Sequence, residues 1–190
     1  MQFKKEIIKN YRDTDLDITI ERCQHYLLLD NRKIVGHFYS GPDNSIGVLN
    51  DTYIVIKHSI IKSLNSHYEV RNVHNNAIVG EIIIRNFTFS MSLKVSFEII
   101  HKEPYTWQVM ESIQEWSIIS VFSRFYGGFF NDTENIVIHW NYKSENPLKH
   151  RLYRIPIEGD IQMTNPSNHF LLFAGLFLAE REFQKHHTDD

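Results

Sequence analysis

Phe170-Leu-Leu-Phe-Ala-Gly-Leu-Phe-Leu-Ala179 is the most apolar stretch of this 190-residue chain, with ten residues and no polar side chain. A helix needs about twenty apolar residues to cross a bilayer, so this stretch is too short to span a membrane. Asn165 is a good N-cap and Pro166 suits the first helical position, which predicts a helix over residues 166–186. A helix that is apolar on all faces must be surrounded by protein.

The residues before this helix have the pattern of β-strands joined by tight turns. Residues 25–36 and 67–80 resemble each other, because each has a short apolar run, an Asn-containing turn and then Ile-Val-Gly at the start of a second run. This is the pattern of a β-hairpin, and its recurrence predicts a repeated hairpin unit. Further strands are predicted over residues 52–57, 82–89, 93–100, 136–140 and 152–157.

Residues 104–128 allow two interpretations. Apolar residues at three-residue steps, with Gly127 as a C-terminal cap, suit a helix near residues 105–126. β-Branched and aromatic residues, together with four serines between Ser112 and Ser123, favour strands instead. We expect strands, with Gly127-Gly128 as a tight turn, and an α+β fold with the additional helix is the alternative.

Many strands followed by one wholly apolar helix pose a packing problem, because such a helix cannot lie on a sheet with its outer face in water. A closed barrel around the helix buries all of its faces and also removes the sheet edges. We therefore expect a mainly β fold, a closed antiparallel barrel of hairpins around a hydrophobic C-terminal helix. No linker or low-complexity tract marks a boundary, so residues 1–190 are expected to form one domain.

One segment carries a resemblance to a known group of proteins. Ile118-Ile-Ser-Val-Phe-Ser-Arg-Phe-Tyr-Gly-Gly-Phe-Phe-Asn-Asp-Thr-Glu-Asn-Ile-Val-Ile138 is similar to the strand, aromatic-Gly turn, acidic-Asn turn and strand of scramblase-like members of the tubby C-terminal-like superfamily. This superfamily also includes the tubby domains and the LURP-one-related proteins. The resemblance implies a barrel that encloses a hydrophobic C-terminal helix, here residues 170–179. Residues 141–163 depart from the pattern, and palmitoylated cysteine clusters and a proline-rich head are absent, so lipid scrambling is not implied.

Charge gives one candidate binding segment. The net charge of −3 is too balanced for a protein that holds nucleic acid chiefly through its phosphates, so DNA and RNA are disfavoured. Residues 141–154, however, contain four basic residues against the single acid Glu145, a local formal charge of +3. Such a segment attracts phosphate head groups or an acidic partner, although a solvated loop has the same composition. The candidate anion-binding and lipid-binding residues are Lys143, Lys149, Arg151 and Arg154.

Catalytic, metal and cofactor sites are not predicted. Eleven histidines are many for this length, but no pair has the spacing of metal ligands, so scattered surface imidazoles are the better interpretation. Glu98, His101 and Glu103 form no acid/base group on a strand, because Glu98 and His101 point to opposite faces. Six histidines fall in or beside predicted strands: His25, His37, His58, His67, His101 and His139.

These observations lead to two hypotheses about function. The first is a non-enzymatic domain that binds anionic lipid head groups, as the tubby resemblance implies, or a protein partner. The second is a barrel enzyme or small-molecule carrier whose pocket is lined by histidines. Cys23 is the only cysteine and is expected to be a small half-buried side chain. Without a disulfide or a visible export signal, we expect a cytoplasmic protein.

Overall fold

The computed structural model describes residues 1–6, 10–15, 17–58, 65–85, 95–96, 106–116, 121–130, 135–144 and 158–188. Its elements are β1 (Gln2–Glu6), β2 (Asn10–Asp13), β3 (Ile18–Glu21), β4 (Gln24–Asp30), β5 (Lys33–Ser40), β6 (Asn44–Leu49), β7 (Asp51–His58), β8 (Asn65–Asn72), β9 (Ala77–Arg85), β10 (Val95–Ser96), β11 (Thr106–Trp116), β12 (Val121–Phe130), β13 (Asn135–Ser144), β14 (Glu158–Met163) and α1 (His169–Thr188).

One large antiparallel sheet contains every described strand except β2 and β3. Its strands are hydrogen-bonded in the order β1-β14-β13-β12-β11-β10-β9-β8-β7-β6-β5-β4. The strand at the start of this order also pairs with the strand at its end, because Phe3 of β1 lies opposite both Gly159 of β14 and Leu28 of β4. The expected mainly β class with a C-terminal helix is confirmed.

Helix α1 is packed between distant parts of the large sheet. Its residues 170–180 are all buried, and the helix contacts β5, β6 and β7 as well as β12 and β13. Phe173 packs against the rings of Phe38 and Tyr53, and Phe177 packs edge-on against Tyr68. Each large side chain of this kind stabilises the fold by about 1.5–3 kcal/mol when fully buried.

Two glycines of the sheet face helix α1 and make this close packing feasible. A Cβ added at Gly47 would fall within the ring of Phe173. A Cβ added at Gly80 would lie 2.7 Å from Cζ of Phe170. Both positions therefore need glycine for the space it leaves.

The start of α1 differs from the prediction. The helix was expected from residue 166 with Asn165 as its N-cap, but it begins at His169, and Asn168 Oδ1 accepts a hydrogen bond from the backbone N–H of Leu171. Asn165 Oδ1 instead accepts from the backbone N–H of Ser167, which makes a turn before the helix. Two capping residues compete here, and the second one starts the helix.

The repeated hairpin predicted from sequence is confirmed as β4–β5 and β8–β9. Each hairpin has an irregularity at the same place: the register shifts between Leu28 and Leu29 opposite Gly36, and between Val70 and Arg71 opposite Gly80. The Ile-Val-Gly sequence therefore marks a β-bulge in both units, where one strand has an extra residue.

The prediction for residues 104–128 is confirmed for the strands and wrong for the turn. Residues 106–116 and 121–130 are the strands β11 and β12, so strands are confirmed and the alternative helix is wrong for these residues. Gly127-Gly128 is not a turn, because both glycines pair with β11 on one side and with β13 on the other. Glycines of the described residues have no positive φ, and ladder hydrogen bonds on both sides keep these two extended.

The remaining strand predictions have mixed outcomes. Those over residues 52–57 and 136–140 are confirmed by β7 and β13. Those over 82–89 and 93–100 are confirmed only for β9 up to Arg85 and for β10, since the rest of each lies outside the described residues. The prediction for 152–157 lies wholly outside them.

A small hairpin outside the large sheet was not predicted. Strands β2 and β3 pair only with each other, and Ile20 of β3 and Cys23 pack against Ile46 and Ile54 of the large sheet. Cys23 is thus buried rather than half-buried as expected, because this hairpin covers it.

Candidate functional site

The predicted basic segment is described only at its margins. Lys143 lies in β13 opposite Phe122 of β12, and its backbone is described. Lys149, Arg151 and Arg154 lie outside the described residues. The structure therefore does not test whether the four basic residues lie close together.

The register shows at which end of the large sheet the chain enters and leaves this segment. Lys4 is opposite Glu158, Glu158 is opposite Asn141, and Glu6 is opposite His25. Ser144 and Glu158, the described residues on either side of the segment, are therefore at the end of the sheet where β1 finishes. We call this the exit end, because the C-terminal part of α1 also reaches it.

At the exit end, the interior becomes polar. The hydroxyl of Tyr26 donates a hydrogen bond to Oε2 of Glu180, and both residues are buried. Burial raises the pKa of Tyr26 well above its ordinary value, and the charge of Glu180 raises it further. Burial lowers the pKa of Lys5, and the charge of Glu180 opposes that shift. The helix thus has a buried acidic side chain, and a tyrosine hydroxyl of the sheet donates a hydrogen bond to it.

Arg181 attaches the helix to the rim of the exit end. One of its Nη atoms donates to the carbonyl oxygens of Gly41 and Pro42, at 3.3 and 2.5 Å. Its guanidinium also lies over the rings of Tyr68 and Phe177. Together these contacts fix the turn between β5 and β6 to α1.

Two of the predicted histidines meet on neighbouring strands. Nε2 of His25 in β4 is 3.0 Å from Nδ1 of His37 in β5, and the planes of the two rings are 18° from parallel. The residues that follow the two histidines, Tyr26 and Phe38, contact α1, so strand alternation places both imidazoles on the outer face of the large sheet. They therefore do not line an interior pocket, as the second hypothesis required of them.

His67 makes a separate contact, and His139 lies on another strand. His67 Nε2 lies 3.1 Å from Oε2 of Glu81 on β9, which is a separate contact on the outer face of β8. His139 is half-buried in β13. The side chain of His58 and the whole of Glu98, His101 and Glu103 are outside what the structure describes.

Within the described ranges, the side chains of His, Cys, Asp and Glu form no group of three that would hold a metal ion. Burial raises the pKa of the Cys23 thiol, which disfavours the thiolate form that a nucleophile or a metal ligand needs. The same part of the chain contains no helix whose length and hydropathy suffice to span a membrane.

Comparisons with known proteins leave the site to be interpreted from its own geometry. No protein-family model, no curated protein and no solved structure matches this chain.

Sequence reasoning missed the contacts of Glu180 and Glu6. Glu180 directly follows the ten apolar residues, and it is buried beside a tyrosine 154 residues away. A signal was available, because an acid directly after ten apolar residues needs a buried partner if the helix is enclosed by protein. The position of Glu6 beside His25 depends on the register of β1 with β4.

Proposed function

We propose that this chain is a non-enzymatic cytoplasmic domain, a closed barrel filled by its own C-terminal helix, that binds anionic lipid head groups through its surface. The pairing of β1 with both β14 and β4 supports closure. The partner class comes from the resemblance to tubby domains and from the basic segment. The observation that carries the proposal is the filled interior.

The filled interior argues for surface binding. The rings of Phe173 and Phe177 are fully buried against Phe38, Tyr53 and Tyr68 of the sheet. Ligand cavities in small barrels require space between the walls, and here helix side chains fill that space. A carrier or enzyme with an interior site would have to move the helix, which provides much of the core.

The position and charge of the basic segment favour a lipid surface. Lys149, Arg151 and Arg154 belong to the chain between Ser144 and Glu158, both at the exit end. Each basic residue near an anionic surface contributes about 1 kcal/mol, and the net charge of −3 opposes binding by the whole domain. We therefore expect weak association that strengthens at low ionic strength.

Co-sedimentation with vesicles tests this proposal. The unmodified chain should sediment with vesicles of phosphatidylcholine and phosphatidylserine at low ionic strength, and not with phosphatidylcholine alone. Added salt that shortens the Debye length to about 3 Å should release it. The variant Arg151→Glu/Arg154→Glu should lose binding by at least about tenfold.

The matched control is Arg32→Glu/Lys33→Glu. Both residues are exposed and lie at the other end of the sheet, Arg32 in the β4–β5 turn and Lys33 at the start of β5, and their reversal changes the net charge by the same amount. If both variants lose binding equally, the effect belongs to net charge and not to the segment. If the unmodified chain does not sediment at low ionic strength, lipid binding is refuted and a protein partner becomes the better proposal.

A further inference from the structure

The His25–His37 pair lies at one end of a row of aromatic rings on the outer face. The ring of His25 stacks on Tyr39 with the centroids 4.4 Å apart and the planes 5° from parallel. His25 also lies beside His37, with the ring centroids 5.2 Å apart, and Tyr39 in turn packs against Tyr11 at 4.1 Å. Only 3% of the surface of His25 is exposed.

This row joins the β2–β3 hairpin to the large sheet. Tyr11 belongs to β2, whereas Tyr39 belongs to β5. Both tyrosines pack against the cluster that Ile20 and Cys23 form with the sheet. Among the described strands, β2 and β3 pair with none of the large sheet, so side-chain packing of this kind holds the described part of the hairpin there.

The contact between the two imidazoles depends on their protons. At 3.0 Å, one nitrogen must donate and the other must accept, so the pair is satisfied with a single proton between Nε2 of His25 and Nδ1 of His37. When both imidazoles are charged, each of these nitrogens carries a proton, and neither can accept. Two like charges then face each other across the same short distance.

The charged and titratable groups around His25 come from β1, from β5 and from Cys23. From β1, Oε2 of Glu6 lies 3.8 Å from Nδ1 of His25, and its side chain is 52% exposed. From β5 come His37 and Tyr39, and Cys23 lies next to Tyr39. Glu6 offsets the charge of one imidazolium but has no effect on the shared nitrogen contact, so the second proton is the one that breaks the pair.

We propose that this histidine pair makes the packing of the β2–β3 hairpin on the sheet dependent on pH. The hairpin is held while the pair shares one proton, and it is released when both imidazoles are charged. Burial lowers the pKa of His25, followed by the effect of His37, and Glu6 opposes both. Release is therefore expected below the ordinary imidazole pKa of about 6.5.

Hydrogen exchange at single residues tests the proposal on the full chain. The reporters are the backbone amides of residues 10–13 and 18–21, and those of Leu27 and Leu28 in β4 report on the sheet. After correction for intrinsic exchange, protection of the hairpin should fall by about tenfold or more between about pH 7.5 and about pH 5, with β4 unchanged. Equal protection at both pH values overturns the proposal.

The variant His37→Asn tests whether this pair, and not another titrating group, causes the pH dependence. Its amide oxygen replaces Nδ1 as an acceptor but does not titrate, so the hairpin should stay protected at both pH values. The matched control His67→Gln removes a histidine of similar exposure that contacts Glu81, and it should retain the pH dependence of the unmodified chain. A fall in protection that persists in His37→Asn, or that disappears in His67→Gln, overturns the proposal.

If His37→Asn loosens the hairpin at every pH, a second measurement still tests the proposal. The imidazole resonances of His25 and His37 are followed by NMR in the unmodified chain. Loss of hairpin protection should coincide with the second of their two protonation steps. A loss that follows the first step, or the titration of another group, contradicts the mechanism.

Discussion

Gly47 and Phe173 allow the position of the helix against the sheet to be tested by a double-mutant cycle. The ring of Phe173 occupies the space where a Cβ on Gly47 would lie. Gly47→Ala alone should therefore overpack the core and destabilise by about 1–3 kcal/mol. Phe173→Ala alone removes a fully buried ring and should cost about 3–5 kcal/mol.

The double variant should be less destabilised than the sum of the two single variants. Once the ring is gone, the new methyl group enters the cavity instead of clashing, which gives a coupling energy of about 0.5–3 kcal/mol. The assay is urea unfolding followed by far-UV circular dichroism, with the free energy of unfolding extrapolated to water. Stability of a domain is only about 5–15 kcal/mol, so both single effects are measurable.

Gly80 provides the matched control for this cycle. Its added Cβ would meet Phe170 and not Phe173, so Gly80→Ala and Phe173→Ala should be additive. Additivity between Gly47→Ala and Phe173→Ala, within about 0.5 kcal/mol, would refute the packing of this ring on β6.

Two further predictions concern single contacts. Asn168→Ala should destabilise by about 1 kcal/mol through loss of the helix cap, whereas Asn165→Ala should cost clearly less, and equal thermal shifts would contradict the observed helix start. Tyr26→Phe should cost about 1–3 kcal/mol in urea unfolding, because it removes a hydrogen-bond donor from the buried carboxylate of Glu180, and an unchanged midpoint would contradict this.

The parts of the fold that were predictable are those with a strong local signal. Ten apolar residues in a row predict an enclosed helix in any context, and Ile-Val-Gly after an Asn turn predicts a hairpin twice over. The left-handed backbone of Asn31, Arg32 and Asn76 in those turns agrees with this pattern. The prediction of a turn at Gly127 and Gly128 was wrong because a glycine pair occurs both in turns and in central strands, and the sequence does not distinguish the two.

The β2–β3 hairpin was missed for a different reason. Residues 10–21 are rich in charge and too short to predict strands by alternation, and their described apolar residues gain burial against the outer face of β5, β6 and β7. That contact depends on tertiary structure, which overrides weak local preference.

The histidine pair was half predictable. Both residues were recognised, and a hairpin with its turn near residue 31 brings positions 25 and 37 close together. The bulge in β5 between Ile34 and Gly36, however, sets which cross-strand neighbours they have, and it places His25 opposite Tyr39. Because spacing alone does not reveal this bulge, the contact between His25 and Tyr39 could not be predicted from the sequence.

The place of β1 has a consequence for the order in which the chain can fold. The ammonium of Met1 donates to the carbonyl oxygen of Ile161, and the N–H of Ile161 donates back to the carbonyl oxygen of Met1, 160 residues apart. On a ribosome, β1 emerges early but has no second neighbour until β14 has been synthesised, and the helix that fills the core follows later still. Its hairpins are able to form as they appear, whereas the pairing of β1 with β14 and the burial of α1 must wait until residues 158–188 have been synthesised. Contacts of such long sequence separation slow folding and leave apolar surface uncovered in the meantime, so nascent chains of this protein are expected to depend on chaperones during synthesis.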